Sequence, residues 1–343
     1  MNCLISFLLI VLSLVSLGAA RNGASASPST NVGSVHTHGT ILGSPDGTCG
    51  PGNGNTCDNS TNSLDGCCSQ FGWCGHTEDY CLIENGCQPE YGNCTELDNP
   101  DYSKLISLKR YRLGKIPYGE PIYGCRSTGQ IALTFDDGPY HYTKRLLDIL
   151  KAAGVNATFF ITGANLGKGS IDDPALPWKS LIRRMYREGH QVAAHTWTHP
   201  DLESLSESGR RNQMHRLEYA FSKILGKIPT YMRPPYSRCE GACLDTMKDL
   251  GYHVIYFDLD TEDYSHILPS QIKDSIKIAT DIIQAVDPKV SSILSIAHDI
   301  HPLSVIRLTV EMIKVIKDRG FEPVTVGKCL GDAPSHWYRQ VIV

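Results

Sequence analysis

The stretch Gln130-Ile131-Ala132-Leu133-Thr134-Phe135-Asp136-Asp137-Gly138-Pro139 sets an apolar, β-compatible run against two adjacent carboxylates and a Gly-Pro turn. After it, residues 142–151 carry Leu146, Leu147, Ile149 and Leu150 at helical spacing. Both carboxylates therefore fall where a buried strand ends and a loop begins. Neighbouring side chains on a strand point to opposite faces, so Asp136 and Asp137 reach one pocket only if the strand is ending there. Such a pair suits a division of labour, with one carboxylate on a metal and the other free as a base. Alone, the dipeptide reads more simply as a polar strand end closed by a turn. Further stretches change that balance.

From Cys125 onward, apolar runs at 158–161, 191–194, 253–257 and 292–296 alternate with helical stretches at 178–188, 207–225, 244–250, 270–285 and 304–319. Alternation of this kind predicts a parallel α/β sheet or barrel. In such folds the chemistry lies at the carboxyl ends of the strands. His195-Thr196-Trp197-Thr198-His199 follows the second of those runs. Two histidines four apart can share a metal, although 13 histidines in the chain make a chance pair common. With a carboxylate from another strand end they complete a set of two histidines and one carboxylate, which leaves positions open for water and substrate. In Arg233-Pro234-Pro235-Tyr236 the prolines stiffen a loop, and Arg233 can hold a carboxylate ionised; alone it reads as a rigid surface turn. Asp258-Leu259-Asp260-Thr261-Glu262-Asp263-Tyr264 and Ile293-Leu294-Ser295-Ile296-Ala297-His298-Asp299 are apolar strands running into titratable residues. A carboxylate bonded to an imidazole raises its pKa and orients it, so Asp263 with His298 is a candidate acid. By itself His298 reads as a satisfied core histidine.

At 343 residues there is room for one large domain and something small. A composition of 41% hydrophobic and 20% charged residues is that of a soluble globular protein, and a net charge of -4 gives no sign of nucleic-acid or anionic-membrane binding. The leading residues 1–20 read as a secretory signal: Leu4 to Leu17 is nearly all apolar, and Gly18-Ala19-Ala20 offers small residues for cleavage, which would remove Cys3. Met1-Asn2-Cys3 departs from that pattern in carrying no Lys or Arg, and a retained anchor is the alternative. No later stretch is long and apolar enough to span a bilayer, and Tyr338 to Val343 shows no lipid-anchor signal. Residues 21–46 read as a flexible linker in which His36 and His38 are solvated loop histidines. Residues 96–124, with Pro100, Pro117 and Pro121, read as a bridge, and 331–343 as a C-terminal tail.

Of 13 cysteines, eight fall within residues 47–95: Cys49, Cys57, Cys67, Cys68, Cys74, Cys81, Cys87 and Cys94. A stretch of fewer than about fifty residues builds too small an apolar core, so covalent links replace it. The cysteines lack paired C-x-x-C spacing and the chain reads as secreted, which favours disulfides over zinc. Spacing alone leaves the pairing open among about 105 arrangements. Asn59-Ser60-Thr61, Asn93-Cys94-Thr95 and Asn156-Ala157-Thr158 are glycosylation sequons. The first suits a loop; the third precedes a buried run and is expected to stay unused.

Cys67-Cys68-Ser69-Gln70-Phe71-Gly72-Trp73-Cys74-Gly75, followed by Tyr80-Cys81, resembles the hevein-type chitin-binding module. The resemblance implies that Ser69, Phe71, Trp73 and Tyr80 bind sugar, and that the pairs are Cys49–Cys68, Cys57–Cys74, Cys67–Cys81 and Cys87–Cys94. Flat aromatic faces stack on N-acetylglucosamine rings, and a hydroxyl can bond the acetamido group. A mini-core is the competing use of those aromatics.

The five stretches that end strands, taken in order from about Cys125 to Leu330, resemble the polysaccharide deacetylases of carbohydrate esterase family 4, the NodB-like domain. The resemblance implies a distorted (β/α) barrel over 125–330. It makes Asp136 the general base, Asp137, His195 and His199 the metal ligands, and Arg233 the partner of Asp136. Tyr236 would donate its backbone N–H to the oxyanion, and Asp263 would tune His298, the general acid. The metal expected is divalent, zinc foremost and cobalt the alternative. Tyr264 stands where the family often has Trp, and Ile296-Ala297-His298 replaces the commoner Leu-x-His. Chitin deacetylases of the fungal type within this family carry extra disulfides, which implies Cys125–Cys329 and Cys239–Cys243. The activity implied is secreted, cell-wall-associated removal of N-acetyl groups from N-acetylglucosamine polymers, chitin foremost. Peptidoglycan or acetylxylan deacetylation and an inactive chitin-binding lectin are the alternatives. No nucleic acid, membrane span after signal removal, or obligate protein partner is expected.

Overall fold

A computed structural model describes residues 44, 46–57, 66–82, 87–95 and 103–341. The stretch read as a signal peptide, Cys3, His36, His38, nearly all of the stretch read as a linker and the Asn59 sequon lie outside the described residues. Seven parallel strands carry the large domain: β1 Thr134–Asp136, β2 Thr158–Ile161, β3 Gln191–Ala194, β4 Tyr231–Met232, β5 His253–Ile255, β6 Leu259–Asp260 and β7 Ile293–His298. Hydrogen-bonded order runs β7–β1–β2–β3–β4–β5, and β6 pairs β7 on its other side. The ring therefore closes through the chain itself, along residues 256–258. Tyr256 N still bonds Ile122 O at 2.7 Å, whereas Asp258 N bonds Leu294 O at 2.9 Å. This crossing is the distortion in the barrel.

Helices α1 Thr143–Ala153, α2 Trp178–Arg187, α3 Glu207–Leu225, α4 Ala242–Asp249, α5 Ile272–Ala285 and α6 Thr309–Arg319 connect the strands. Each turns an apolar stripe inward, such as Leu146, Leu147 and Leu150 on α1, and leaves charged residues in water. Phe159, Phe160 and Ile131 on strands, and Leu133 at the break between two of them, are fully enclosed. Burying each contributes about 1.5–3 kcal/mol before chain entropy is counted.

The observed boundaries differ from the sequence reading in three places. The first run is two strands, Gln130–Ala132 and β1, interrupted at Leu133; Asp136 is the last residue of the second, at a strand end as the sequence reading has it. Helix α6 is entered through one wide turn at Ser304–Leu308, where Thr309 Oγ1 donates back to Ser304 O at 2.8 Å. The domain also takes in most of the stretches read as bridge and tail. Pro121–Ile122 pairs with β5, and Tyr338–Gln340 pairs with Lys227–Pro229. Arg110 reaches from the bridge to Glu218 on α3, a carboxylate that also accepts from Tyr252 Oη at 2.7 Å.

The small module is a two-stranded antiparallel pair, Cys67–Cys68 with Cys74–Gly75, held by Cys49–Cys68, Cys57–Cys74, Cys67–Cys81 and Cys87–Cys94. In the large domain, Cys125 bonds Cys329 and Cys239 bonds Cys243. These six pairs are the ones that the two resemblances imply. Asn156 is exposed at the foot of β2, and its Nδ2 donates to Glu188 O at 2.9 Å.

Candidate functional site

Parallel register sets the site. Asp136, at the end of β1, lies opposite Phe160 on β2 and His298 on β7. Base and acid candidates are therefore neighbours on adjoining strands, at the carboxyl end of the sheet. Asp137 follows with φ +76°, a left-handed conformation that breaks strand alternation and lets two consecutive carboxylates share one cavity. That strained turn is held from below. Lys168 Nζ donates to Asp137 O at 2.9 Å, Gly138 O at 3.0 Å and Thr162 Oγ1 at 2.7 Å. A Cβ on Gly138 would lie 2.2 Å from Asp299 Oδ2, so only glycine fits there.

His195 begins a loop that leaves β3, and His199 ends it with φ +64°. The loop is pinned by Gln213 of α3, whose Oε1 accepts from the N–H groups of Trp197 at 3.0 Å and Thr198 at 2.9 Å. His195 Nδ1 lies 2.6 Å from Arg233 O. A carbonyl only accepts, so Nδ1 carries the proton and the Nε2 lone pair faces the cavity. His195 Nε2 is 3.6 Å from Asp137 Oδ1, and His199 Nε2 is 3.3 Å from the same oxygen. All three candidate ligand atoms lie within 4.8 Å of one another. Asp137 Oδ1 is buried and accepts no hydrogen bond among the described residues. A carboxylate oxygen with no hydrogen bond, set between two imidazole Nε2 atoms, is costly for a protein alone, and the three groups are a donor set that a divalent metal fits.

Arg233 is fully buried and every face of it is engaged. Nη1 donates to Asp136 Oδ1 at 2.8 Å and to Thr134 Oγ1 at 2.6 Å; Nη2 donates to Tyr256 O at 2.8 Å; the guanidinium lies 4.3 Å from the Phe160 ring centre. Burial pushes the Asp136 carboxyl up, Arg233 and His298 oppose it, and the net value is about 6. His298 Nδ1 lies 2.7 Å from Asp263 Oδ1, and its backbone N–H donates to Asp263 Oδ2 at 2.8 Å. Burial pulls His298 down, but Asp263 outweighs it and the ring is pushed up to about 10. For Asp137, burial pushes up, whereas His199, His298 and His195 pull down to about 2. Burial drives His195 to about 3 and lowers His199 too, so both are neutral at working pH. The cation that persists among the three is His298, and with Lys168 it keeps Asp137 ionised.

Seven of the eight residues expected in the catalytic and metal sets line one cavity of about 560 Å³; Asp263 stands behind His298, fully buried. Tyr236 enters with φ +57°, and its ring lies 4.7 Å from that of His199. Ser69, Phe71, Trp73 and Tyr80 line a second cavity. Ser69 is buried, its Oγ accepting from Trp73 N at 3.2 Å, whereas Phe71 and Trp73 are exposed. Sequence reasoning missed Lys168, Gln213 and Asp299. Lys168 had no motif to mark it, Gln213 lies mid-helix, and Asp299 sat inside a quoted stretch without a role.

A family model described as polysaccharide deacetylase matches residues 123–255. A chitin deacetylase of Pestalotiopsis sp is 45% identical over 228 residues, 66% of this chain and 72% of its own length. A chitin deacetylase of Colletotrichum lindemuthianum is 42% identical over 228 residues, 66% of this chain and 89% of its own. The solved structure of the chitin deacetylase from that fungal pathogen superposes with a TM-score of 0.63 at 43% identity, covering 66% of this chain and 97% of the other.

Proposed function

The chain is an enzyme of the polysaccharide deacetylase family, and from that premise we propose that it is secreted and removes N-acetyl groups from N-acetylglucosamine residues of chitin, giving chitosan and acetate. The observation that carries the reading is the orphaned Asp137 Oδ1, set between two imidazoles with Asp136 and His298 on adjoining strand ends. The two chitin deacetylases that resemble the chain support the substrate. Six disulfides support an oxidising compartment.

Asp137, His195 and His199 would hold a divalent ion, zinc being the expected one. When bound, it supplies Lewis-acid polarisation of the acetamide carbonyl and a lowered pKa for water. Asp136, with a pKa of about 6, is ionised at neutral pH and takes the proton of the attacking water. Arg233 fixes that carboxylate in place, since each of its three nitrogens donates to a buried partner. The Tyr236 backbone N–H donates to the oxyanion as the carbonyl carbon becomes tetrahedral. His298, protonated because Asp263 stands behind it, gives its Nε2 proton to the sugar nitrogen as the C–N bond breaks. The products are acetate and a glucosamine residue. Two titratable groups pushed apart, one to about 6 and one to about 10, mark the base and the acid. The module would hold the enzyme on polymer through Ser69, Phe71, Trp73 and Tyr80.

Acetate release from chitin oligomers, acetylxylan and peptidoglycan tests the reading. The expected result is release from chitin oligomers that is lost with a chelator and in Asp136→Asn. No acetate from chitin oligomers overturns the substrate. Release unaffected by either perturbation overturns the mechanism, and no release from any substrate leaves the lectin reading.

A further inference from the structure

The module's aromatic platform does not stand apart from the reaction centre. Phe71, Trp73 and Tyr80 form one wall of a cavity of about 380 Å³ whose opposite wall is Asp137, His199 and Tyr236, with Leu166 beside them. Asp137, His199 and Tyr236 also line the 560 Å³ cavity that holds Asp136 and His298. The two spaces therefore meet at the candidate metal ligands. Each lies within the range of about 300–1,000 Å³ typical of sites for small organic ligands.

Resting on the function proposed above, we propose that the module is a wall of the active-site cleft. A chitin chain stacked on Trp73, Phe71 and Tyr80 runs without a break to the Asp137–His199 edge, and the module's residues are substrate subsites that position the sugar to be deacetylated. Four large apolar side chains are exposed on this one cavity: Phe71 at 67%, Trp73 at 53%, Tyr236 at 57% and Leu166 at 50%. Convergence of that kind marks a binding surface. The wall is preorganised. Ser69 and Trp73 exchange N–H···O bonds at 2.9 and 3.2 Å, one to the Trp73 carbonyl and one to the Ser69 hydroxyl, which closes the turn that presents Phe71. Tyr80 lies flat on Gly75, where an added Cβ would sit 2.5 Å from the ring. Gln70 meets the catalytic domain at Ser204, with Oε1 and Oγ 3.1 Å apart. None of the module residues on this wall carries a charge. The wall thus suits a neutral N-acetylated sugar, with apolar ring faces for stacking.

The alternative is a tether, in which the module concentrates the enzyme on insoluble polymer and touches nothing near the reaction. Full-length wild type, Trp73→Ala, Phe71→Ala and Leu166→Ala separate the two on soluble N-acetylglucosamine oligomers. With the hexamer, each variant is expected to raise KM by about tenfold or more, as loss of a large apolar anchor does. With the dimer, which can cover only part of this wall, the rise in KM is expected to be smaller than with the hexamer. Wild type is expected to deacetylate the hexamer at a preferred unit and Trp73→Ala to lose that preference, read by mass spectrometry of the products. Unchanged hexamer kinetics in the module variants overturns the shared cleft. Calorimetric titration of the hexamer into each variant carrying Asp136→Asn decides the point even if no oligomer is turned over. Weakened binding in both Trp73→Ala and Leu166→Ala supports one cleft, because Leu166 belongs to the catalytic domain. Weakening in Trp73→Ala alone means that the module binds sugar by itself and refutes the proposal. Circular dichroism and thiol counts confirm that each variant is folded and oxidised.

Discussion

Replacing Asp263 with Asn keeps the size of the group behind His298 and removes its charge. In wild type the carboxylate accepts from Nδ1 at 2.7 Å and from the backbone N–H at 2.8 Å, with no exposure to water. It is the main influence raising His298 from 6.5 to about 10, against burial, which pulls the ring down. A rise of that size corresponds to roughly 5 kcal/mol of preference for the protonated ring. Without the carboxylate, burial is opposed only by Asp137 and Asp136, and the ring returns to its ordinary range or below. At pH 8 a ring titrating at its ordinary 6.5 is protonated in about one molecule in thirty, so kcat/KM at that pH falls by roughly thirtyfold from this cause alone. The alkaline limb should move from about pH 10 to near or below pH 7. Loss of the His298 charge also raises Asp136, so the acid limb climbs toward the alkaline one and the bell narrows from both sides. Stability follows the same sign. A folded pKa raised above 6.5 contributes stability that is whole below that pH and is lost as pH climbs through about 10, so wild type should weaken across that window more than Asp263→Asn. The assay is acetate release from the chitin hexamer between pH 5 and 10, with thermal melts at the same points. A variant whose activity drops equally at every pH, with the alkaline limb still near 10, would refute the assignment of His298 as the acid tuned by Asp263.

Two further outcomes are expected. In Asp137→Ala, zinc is expected to raise the melting temperature of wild type but not of the variant, because the variant lacks the carboxylate of the candidate donor set. Equal zinc shifts in both proteins would remove Asp137 from the metal set. In Gly163→Ala, the new Cβ falls 1.8 Å from Trp197 Cε3, inside a packed core, and overpacking should cost about 1–3 kcal/mol. Differential scanning calorimetry should show a melt lower by several degrees, and an unchanged melt would mean that the His195–His199 loop yields more easily than its Gln213 bonds suggest.

Much of this architecture is legible in the sequence because it is periodic. Apolar runs of four or five alternate with helical stretches, and titratable clusters follow several of them, whereas the roles of the eight candidate residues rest on the resemblance. What escapes is the support beneath them. Lys168 holds two carbonyls of the Asp137 turn, and Gln213 holds two N–H groups of the histidine loop. Both act on backbone atoms, which leave no trace in side-chain spacing. The left-handed turn at Asp137 is equally silent, since aspartate is tolerated there without a glycine to announce it. Arg110 and the 331–343 tail escape for another reason. The sequence reading assigns no element to either stretch, and only tertiary pairing with Glu218 and with residues 227–229 shows that they belong to the body.

The Cys125–Cys329 bond spans 204 residues and embraces all seven strands. A loop of that length restricts the unfolded chain by about 5 kcal/mol in the chain-entropy account. It also works as a clasp on a ring that the backbone has already threaded shut at 256–258. An exopeptidase trimming inward from the carboxyl terminus would meet a covalent stop at Cys329 before reaching any barrel strand. A nick upstream of Cys125 would likewise leave the catalytic circle fastened.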